Sequence, residues 1–228
     1  IAISGSNMFA GAFGGGVFLS TNNGSSWTAM NNGLPDGLEV TSLVISGNNI
    51  FAGTFEDGIF LSTDNGNTWT AVHNGLPVRF EVTSLGISGN NIFAGTQYYG
   101  MFLSTNNGSS WTAVNGFSTR SVYTINISGN NIFAGTNGAV YLSTDNGNTW
   151  IERNIALWHE PVKKIAISGS NIFAGTGGGG VFLSNDNGSS WTAINNGLSN
   201  TKVNSIAISG SNIFAGTGGG GVFLSNDN

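Results

Sequence analysis

The chain has 228 residues, of which 37 are Gly and only 7% are charged, with no Cys and a formal net charge of −5. Scarce charge beside 39% hydrophobic residues excludes a strongly charged disordered chain. The lack of Cys excludes a disulfide scaffold and a cysteine metal site. Six Lys and Arg do not make the basic surface that nucleic acid requires, and no apolar stretch is long enough for membrane insertion.

Two phrases repeat along the chain at nearly constant intervals. The first phrase, Ile-Ser-Gly followed by Phe-Ala-Gly, recurs with spacings of 42, 42, 40, 40 and 41 residues. Because no linker or change of composition interrupts the repeats, we expect one domain built from similar units. Their approximate bounds are 1–40, 41–82, 83–122, 123–162, 163–203 and 204–228, the last one partial.

Each unit contains four short apolar runs in chain order, separated by Gly and Asn. In the last unit these runs are 206–208, 213–215 and 222–224, and 191–194 of the preceding unit shows the fourth. Short runs rich in β-branched and aromatic residues predict strands, and no segment has the periodicity of a helix. Four antiparallel strands per repeat predict an all-β fold, a β-propeller of four-stranded blades. A solenoid of stacked hairpins would usually have a shorter period.

The second phrase lies between the third and fourth runs. Residues 62–69 and 143–150 match Ser-x-Asp-x-Gly-x-Thr-Trp in full, and Asn22 and Asn106 replace the acid in two other copies. The phrase resembles the Asp-box, or BNR repeat, of the sialidase-like and sortilin-like propeller superfamily, which implies a hairpin between the third and fourth strands of every blade. Its acids and aromatic residues here are Asp64, Asp145, Asp186, Trp27, Trp69, Trp111, Trp150 and Trp191.

The Asp-box residues suit a structural role. An Asp or Asn side chain can cap its own turn by accepting backbone N–H bonds, and the Trp can pack beneath the turn. Asn in place of Asp would weaken a calcium site but would keep the cap. We therefore predict no metal and no cofactor.

In a four-stranded meander, the connections alternate between two faces. The loops between second and third strands share a face with the connections from blade to blade, and these segments differ among the copies. We call this the variable-loop face, and surface loops on a rigid scaffold are the usual seat of binding. The candidate ligand-binding residues there are Phe55, Glu56, Asp57, Arg79, Gln97, Tyr98, Tyr99, Arg120, Trp158, His159 and Glu160, with Phe13 and Phe80 as further exposed aromatic candidates.

Aromatic rings among amides and glycines suit carbohydrate, since a ring stacks on sugar C–H groups and amides bond the hydroxyls. We therefore predict a non-enzymatic, lectin-like glycan-binding module, and a protein ligand on the same face stays open. The alternative is a structural or adhesion module of a larger surface protein. Two tetraglycine loops, 177–180 and 218–221, favour that alternative because a loop without side chains recognises little.

Enzymatic functions have weaker support in the sequence. The resemblance would imply three arginines for a sialidase, and Arg79, Arg120 and Arg153 lie in successive blade connections. However, the Phe/Tyr-Arg-Ile-Pro segment that precedes sialidase boxes is absent. A glycoside hydrolase needs two carboxylates ~5–9.5 Å apart, and nothing in the sequence selects a pair. Two histidines, His73 and His159, do not form a set for nucleophilic catalysis or a metal centre.

The sequence stops inside a sixth Asp-box. We therefore expect six blades with an incomplete last one, and part of a larger ring or array is the alternative. Because an uncapped repeat exposes strand edges, further repeats or a neighbouring chain are expected to complete the last blade. Charge-poor repeats rich in Asn, Ser and Thr resemble secreted bacterial proteins, so the expected location is extracellular or at the cell surface.

Overall fold

The computed structural model describes residues 1–153 and 160–226. These residues form six antiparallel sheets, five of four strands and the last of three, and each sheet follows the order of the chain. The predicted all-β meander, one sheet per repeat, is confirmed, and each sheet is called a blade below. Two compact units divide the chain, unit 1 at Ile1–Ser121 and unit 2 at Val122–Asn228. The described residues include no helix long and apolar enough to cross a bilayer.

Unit 1 contains blades 1 to 3. Their strands are β1 (Ala2–Ser4), β2 (Asn7–Ala12), β3 (Gly16–Ser20) and β4 (Thr28–Ala29); β5 (Val40–Ser46), β6 (Asn49–Thr54), β7 (Ile59–Ser62) and β8 (Thr70–Ala71); β9 (Val82–Ser88), β10 (Asn91–Thr96), β11 (Gly100–Ser104) and β12 (Thr112–Ala113). The first strand of each blade is called the inner strand, and the fourth the outer strand.

Unit 2 contains blades 4 to 6. Their strands are β13 (Val122–Ser128), β14 (Asn131–Thr136), β15 (Val140–Ser143) and β16 (Ile151–Arg153); β17 (Val162–Ser168), β18 (Asn171–Thr176), β19 (Val181–Ser184) and β20 (Thr192–Ala193); β21 (Val203–Ser209), β22 (Asn212–Thr217) and β23 (Gly221–Ser225).

The second strands of blades 2 to 5 are buried on both of their faces. In β6, Ile50 packs in the apolar cluster between blades 1 and 2, whereas Phe51 packs in the cluster between blades 2 and 3. Each residue is only 1% exposed. A strand buried on both faces needs apolar side chains at successive positions, so these runs are continuous rather than alternating.

The glycine of the Phe-Ala-Gly phrase allows blades 1 and 2, and blades 2 and 3, to approach closely. A Cβ atom on Gly53 would lie 2.5 Å from the Cγ1 atom of Val82, the first residue of the next inner strand. The same overlap would occur between Gly11 and Val40, at 2.5 Å. Glycine is therefore needed here for packing between blades rather than for a turn.

The outer strands are shorter than the predicted four-residue run. In blade 5, only Thr192–Ala193 is strand. The Ile194 N–H still donates to the Val181 carbonyl at 2.9 Å, but the Val181 N–H donates to the Asn195 side chain at 2.7 Å. The Asn195 side chain accepts the hydrogen bond that a backbone carbonyl of the outer strand would accept in a regular ladder, so regular pairing ends at this point.

The Asp-box turn is held by its acid and its first serine. The Ser62 hydroxyl accepts the Gly66 N–H at 2.8 Å and donates to Asp64 at 2.8 Å. Asp64 also accepts the Thr68 N–H at 2.9 Å and the Thr68 hydroxyl at 2.7 Å. Asn65, at φ 58°, and Gly66, at φ 88°, supply the left-handed backbone of the turn. The predicted side-chain cap is confirmed.

The amide form of the box keeps the same geometry. The Asn22 carbonyl oxygen accepts the Ser26 N–H at 2.9 Å, and its amide nitrogen donates to the Ser26 hydroxyl at 2.8 Å. The Ser26 hydroxyl accepts a hydrogen bond from Asn22, whereas the Thr68 hydroxyl donates one to Asp64. Either Asn or Asp can therefore complete the turn. This explains why Asn can replace the acid in two boxes.

These hydrogen bonds predict how stability responds to acid. The hydroxyl of Thr68 holds the pKa of Asp64 below its usual value, and those of Thr149 and Ser190 lower the pKa of Asp145 and Asp186 to about 2. A depressed carboxyl pKa stabilises the fold above the unfolded value of about 3.9. That contribution is lost as the pH falls towards the folded value of about 2.

The triple variant Asp64→Asn, Asp145→Asn, Asp186→Asn should therefore lose less thermal stability between pH 5 and pH 2 than the parent chain. The measurement is the unfolding midpoint at each pH by circular dichroism. A charge-matched control, Asp36→Asn, Glu56→Gln, Asp57→Asn, removes three carboxylates outside the boxes and should retain the parent's acid sensitivity. Equal pH dependence in the two triple variants would contradict the assignment to the boxes.

The box tryptophans follow two patterns. The indole N–H groups of Trp69 and Trp111 donate to carbonyls of the preceding blade, Met30 at 2.8 Å and Val72 at 2.7 Å. Those two rings are 4% and 3% exposed. The remaining donors among the described hydrogen bonds are Trp150 and Trp191, which bond within their own boxes. In one pattern the tryptophan packs beneath its own turn, as predicted, and in the other it bridges two neighbouring blades.

Candidate functional site

Backbone hydrogen bonds tie the variable loops to the blade connections. In unit 1, the Phe55 N–H donates to the Glu39 carbonyl and the Gln97 N–H donates to the Glu81 carbonyl, both at 3.0 Å. In unit 2, the Gly177 N–H donates to the Pro161 carbonyl at 2.9 Å. The prediction that these two sets of segments share a face is confirmed within each unit.

The loop of blade 3 presents two tyrosines. Tyr98 is 67% exposed and Tyr99 is 48% exposed. The loop is anchored on both sides, because the Tyr98 N–H donates to the buried Ser121 hydroxyl at 3.2 Å and the Gly100 N–H donates to the Arg120 carbonyl at 2.9 Å. Tyr98 has φ of 71°, a left-handed conformation that is uncommon for a bulky residue. The fold therefore holds an exposed ring in a strained backbone position.

The loop of blade 2 is a tight turn with an aromatic residue and two acids. The Thr54 hydroxyl donates to the Gly58 carbonyl at 2.8 Å and accepts the Asp57 N–H at 3.0 Å. Phe55 is 41% exposed, and both Glu56 and Asp57 are exposed. In the described part of the chain, no three His, Asp or Glu side chains are grouped as metal ligands would be.

Blades 2 and 3 are direct neighbours at their inner strands. The Thr41 hydroxyl of β5 donates to the Val82 carbonyl of β9, and the Ser42 hydroxyl accepts the Leu85 N–H at 2.9 Å. The Phe55 turn and the Tyr98–Tyr99 loop therefore stand on adjacent blades of one face. Together they form the candidate site of unit 1.

The connections beside this site present some predicted residues and bury another. Arg79 and Arg120 are exposed, and Arg79 has φ of 52°. Phe80 is only 4% exposed, because it packs with Val82 and neighbouring residues in the core between blades 2 and 3. Its prediction as an exposed aromatic was wrong. Phe13, in blade 1, is 86% exposed as predicted.

In unit 2, Glu160 lies against the first tetraglycine loop. A Cβ atom on Gly178 would come within 2.8 Å of both carboxylate oxygens of Glu160, and one on Gly177 would come within 2.6 Å of Pro161. The loop without side chains therefore makes room for side chains of the connection that enters the same blade. Two further predicted residues, Trp158 and His159, lie outside the described residues.

The second tetraglycine loop has the same arrangement. A Cβ atom on Gly218 would lie 2.8 Å from the Lys202 side chain, and one on Gly220 would lie 2.7 Å from the Cβ atom of Asn200. The Asn200 amide also donates to the Gly218 carbonyl at 3.3 Å. Both glycine loops thus carry side chains supplied by a connection, which the composition of the loops alone does not reveal.

A polar group on the inner strands of unit 2 was missing from the predicted site. The Lys163 ammonium lies 3.9 Å from the ring centroid of Tyr123, whose hydroxyl donates to Asn137 at 3.1 Å. This pair could have been found from the sequence, because Tyr123 and Lys163 occupy the same position in their inner strands that Thr41 and Thr83 occupy in blades 2 and 3. Comparing the copies column by column would have found them.

Two residues considered for catalysis from the sequence, Arg153 and His73, pack beside glycines. Arg153 ends strand β16 rather than lying in a blade connection, and its Cγ atom lies beside Gly188 of the blade 5 Asp-box. Its Nε atom is buried and has no hydrogen-bond partner among the described residues. His73 packs beside Gly58, where blade 5 places Asn195 beside Gly180. Arg153 therefore does not belong with Arg79 as a loop residue.

Comparison with known proteins identifies the fold. Residues 8–119 match the family model described as the DUF6242 beta propeller domain, which is just under half of the chain. No curated protein matches the sequence. With five four-stranded blades and a sixth of three strands, the chain has a six-bladed β-propeller fold.

Several solved structures share this fold at low sequence identity. The extracellular domain of BT4673 from B. thetaiotaomicron is 17% identical with a TM-score of 0.79, over 99% of this chain and 32% of that one. The Niastella koreensis GH74 enzyme is 19% identical with a TM-score of 0.74, over 98% and 42%. YCF48 from Cyanidioschyzon merolae is 16% identical with a TM-score of 0.70, over 98% and 80%. The chain thus spans about a third of the length of the BT4673 domain.

Proposed function

We propose that the chain is a non-enzymatic, lectin-like module that binds glycans through the Tyr98–Tyr99 loop and the adjacent Phe55 turn. The observation that carries this proposal is Tyr98, a bulky residue held at φ of 71° with 67% of its surface exposed. A left-handed conformation costs an L-residue about 1–2 kcal/mol, which the surrounding structure must offset. Strain of this kind clusters at ligand sites, where it presents a side chain in one orientation.

The side chains around Tyr98 are those that a sugar requires. Tyr99 and Phe55 add exposed rings that can stack on C–H faces, and Gln97 adds an amide that can bond hydroxyl groups. Backbone bonds at Gln97 and Gly100 anchor the loop before any ligand arrives. A preorganised loop loses less conformational entropy on binding, and this supports recognition of a flexible ligand.

Ionic groups on the same face narrow the class of glycan. Glu56 and Asp57 are exposed at the tip of one loop, and Arg79 is exposed in the adjacent connection. Because both signs of charge are present, a neutral glycan fits better than a polyanionic one. The extracellular domain of BT4673 has the same fold, which supports an extracellular location for this chain.

A glycan array followed by calorimetry tests the proposal. The purified chain should bind one class of neutral glycan, with the heat of binding lost on mutation of the site. Turnover of a fluorogenic sialoside or xyloglucan fragment, measured in parallel, should be absent. Binding to no glycan would overturn the proposal and favour a structural or adhesion module, whereas turnover would overturn the non-enzymatic assignment.

The Tyr98→Gly variant separates binding from folding. Glycine adopts positive φ freely, so this variant should gain about 1 kcal/mol of stability while losing glycan binding. Thr119→Gly is the matched control, because Thr119 also has positive φ, at 66°, and is exposed. It should keep full binding. Unchanged binding by Tyr98→Gly would show that the tyrosine is not part of the site.

A further inference from the structure

Six Asn–Gly pairs occur in unit 1, and in this dipeptide a protein can modify its own side chain. Glycine has no side chain to shield its backbone nitrogen, so that nitrogen can attack the side-chain amide of the preceding asparagine. Three pairs lie in the Asp-boxes, at 23–24, 65–66 and 107–108, and three follow the outer strands, at 32–33, 74–75 and 115–116. Because the dipeptide is the same at all six positions, differences in reactivity must come from the fold.

The glycine nitrogen of each box pair in unit 1 is already hydrogen-bonded. The Gly66 N–H donates to the Ser62 hydroxyl at 2.8 Å. The Gly108 N–H donates to the Ser104 hydroxyl at 2.9 Å, and Gly24 is bonded in the same way. The asparagines before these glycines are held at φ between 54° and 58°. Attack on the side chain must break the glycine hydrogen bond, and a bond of ordinary strength slows such a step about tenfold.

The next blade holds two of the pairs that follow outer strands. The Asn32 carbonyl accepts the Trp69 backbone N–H at 2.9 Å. The Asn74 carbonyl accepts the Trp111 backbone N–H, also at 2.9 Å. A Cβ atom on the glycine of either pair would lie 2.3 Å from the carbonyl oxygen of the same tryptophan. The peptide unit that must rotate towards the asparagine side chain is therefore held in place by a neighbouring blade.

The Asn115–Gly116 pair, which follows the outer strand of blade 3, has neither restraint. Both residues are exposed. Among the hydrogen bonds of the described residues, none involves the Gly116 N–H or the Asn115 side chain. A Cβ atom on Gly116 would meet no atom of the described residues within 4 Å. The nucleophile, the electrophile and the space for their approach are therefore combined at this pair of unit 1.

We propose that Asn115 is a self-modification site, at which the chain converts asparagine to isoaspartate or aspartate without an enzyme. The Gly116 nitrogen attacks the Asn115 Cγ atom and forms the new C–N bond of a cyclic succinimide. The bond from Cγ to the side-chain nitrogen breaks, and that nitrogen leaves as ammonia with the proton lost by Gly116. Water then opens the ring, giving aspartate by attack at Cγ and isoaspartate by attack at the backbone carbonyl.

Isoaspartate at position 115 changes the support of the Tyr98–Tyr99 loop. It lengthens the backbone by one methylene group, and Phe117, which follows closely, is 0% exposed and cannot shift without leaving the core. The Phe117 carbonyl accepts the Arg120 N–H at 3.0 Å. The Arg120 carbonyl in turn accepts the Gly100 N–H at 2.9 Å. The modification therefore loosens the connection that anchors the loop.

Peptide mapping by mass spectrometry tests the inference on the folded chain of 228 residues. The chain is incubated at mildly alkaline pH, and the mass gain from replacement of NH₂ by OH is located at each asparagine. Asn115 should be modified about tenfold faster than any box asparagine of unit 1, and faster than Asn32 or Asn74. No modification at Asn115, or a box asparagine that reacts as fast, would overturn the proposal.

The same incubation in denaturant supplies the control for local sequence. All six asparagines are followed by glycine, so their rates should converge once the fold is removed. If Asn115 still reacted about tenfold faster in denaturant, its lead would come from the local sequence and the structural assignment would be wrong.

Two variants test the cause of the selectivity. Ser104→Ala removes the acceptor of the Gly108 N–H, so Asn107 should react about tenfold faster while the rate at Asn115 stays unchanged. An unchanged rate at Asn107 would contradict protection by the hydrogen bond. Asn115→Gln is the matched conservative variant, because glutamine must close a larger ring, and it should show no modification at this position.

Hydrogen exchange measures the consequence for the loop. After incubation, the Gly100 and Arg120 amides should exchange faster in the parent chain but not in Asn115→Gln treated identically. Unchanged exchange in a chain that carries isoaspartate at position 115 would overturn the link to the loop. Neither readout uses a glycan, so a negative result here is distinct from failure of the proposed function.

Discussion

Replacing Trp111 by Ala should lower the free energy of unfolding by about 3–5 kcal/mol, the usual cost of truncating a buried aromatic residue. The ring is 3% exposed and packs in the core between blades 2 and 3. Its indole N–H also donates to the Val72 carbonyl at 2.7 Å, and that carbonyl loses its partner in the variant. Chemical denaturation followed by circular dichroism gives the loss directly.

Trp27→Ala is the matched control for this prediction. Trp27 occupies the same box position but is 38% exposed, so its truncation should cost roughly 1 kcal/mol. The contrast tests whether stability comes from bridging two blades or from the Asp-box turn itself. Similar losses at the two positions would show that the turn, rather than the contact between blades, carries the energy.

Gly75→Ala should destabilise the chain by about 2–5 kcal/mol. Gly75 has φ of +91°, and an L-residue in the left-handed region costs about 1–2 kcal/mol. The added Cβ atom would also overlap the Trp111 carbonyl, and overpacking of this kind costs about 1–3 kcal/mol more. Because the obstacle is backbone, it cannot rotate away as a flexible side chain would.

Gly116→Ala separates the two contributions. Gly116 has φ of +87°, but a Cβ atom there would meet no atom of the described residues within 4 Å. Its substitution should therefore cost only the backbone strain, about 1–2 kcal/mol. Denaturant midpoints for the two variants should differ by the steric part alone, and identical midpoints would contradict the overlap between Gly75 and Trp111.

The repeated elements of this fold could be predicted from sequence because their causes are local. The spacing of the Phe-Ala-Gly phrases gave the six meander sheets, and Asp64 caps its turn through atoms within four residues. The face that carries the variable loops also followed from connectivity alone. Such features depend on neighbours in the chain, which a sequence displays directly.

Features that depend on packing between blades could not be predicted in the same way. Phe80 lies in a variable connection, yet its ring is buried by the next blade. Gly53 resembles other strand residues until Val82 is placed against it. Tyr123 and Lys163 meet across two inner strands that are separated by a full repeat. Each of these depends on contact between residues of neighbouring blades that lie far apart in the chain, and apolar periodicity carries no signal for such a contact.

The glycine loops also have a practical consequence for protein engineering. Since Glu160 rests against Gly178, and Lys202 against Gly218, the surface chemistry of two blades is set by residues outside those loops. A combinatorial library that varies positions 160 and 202 would therefore diversify that surface while every strand residue stays unchanged. The scaffold separates the residues that specify its fold from those that can be randomised.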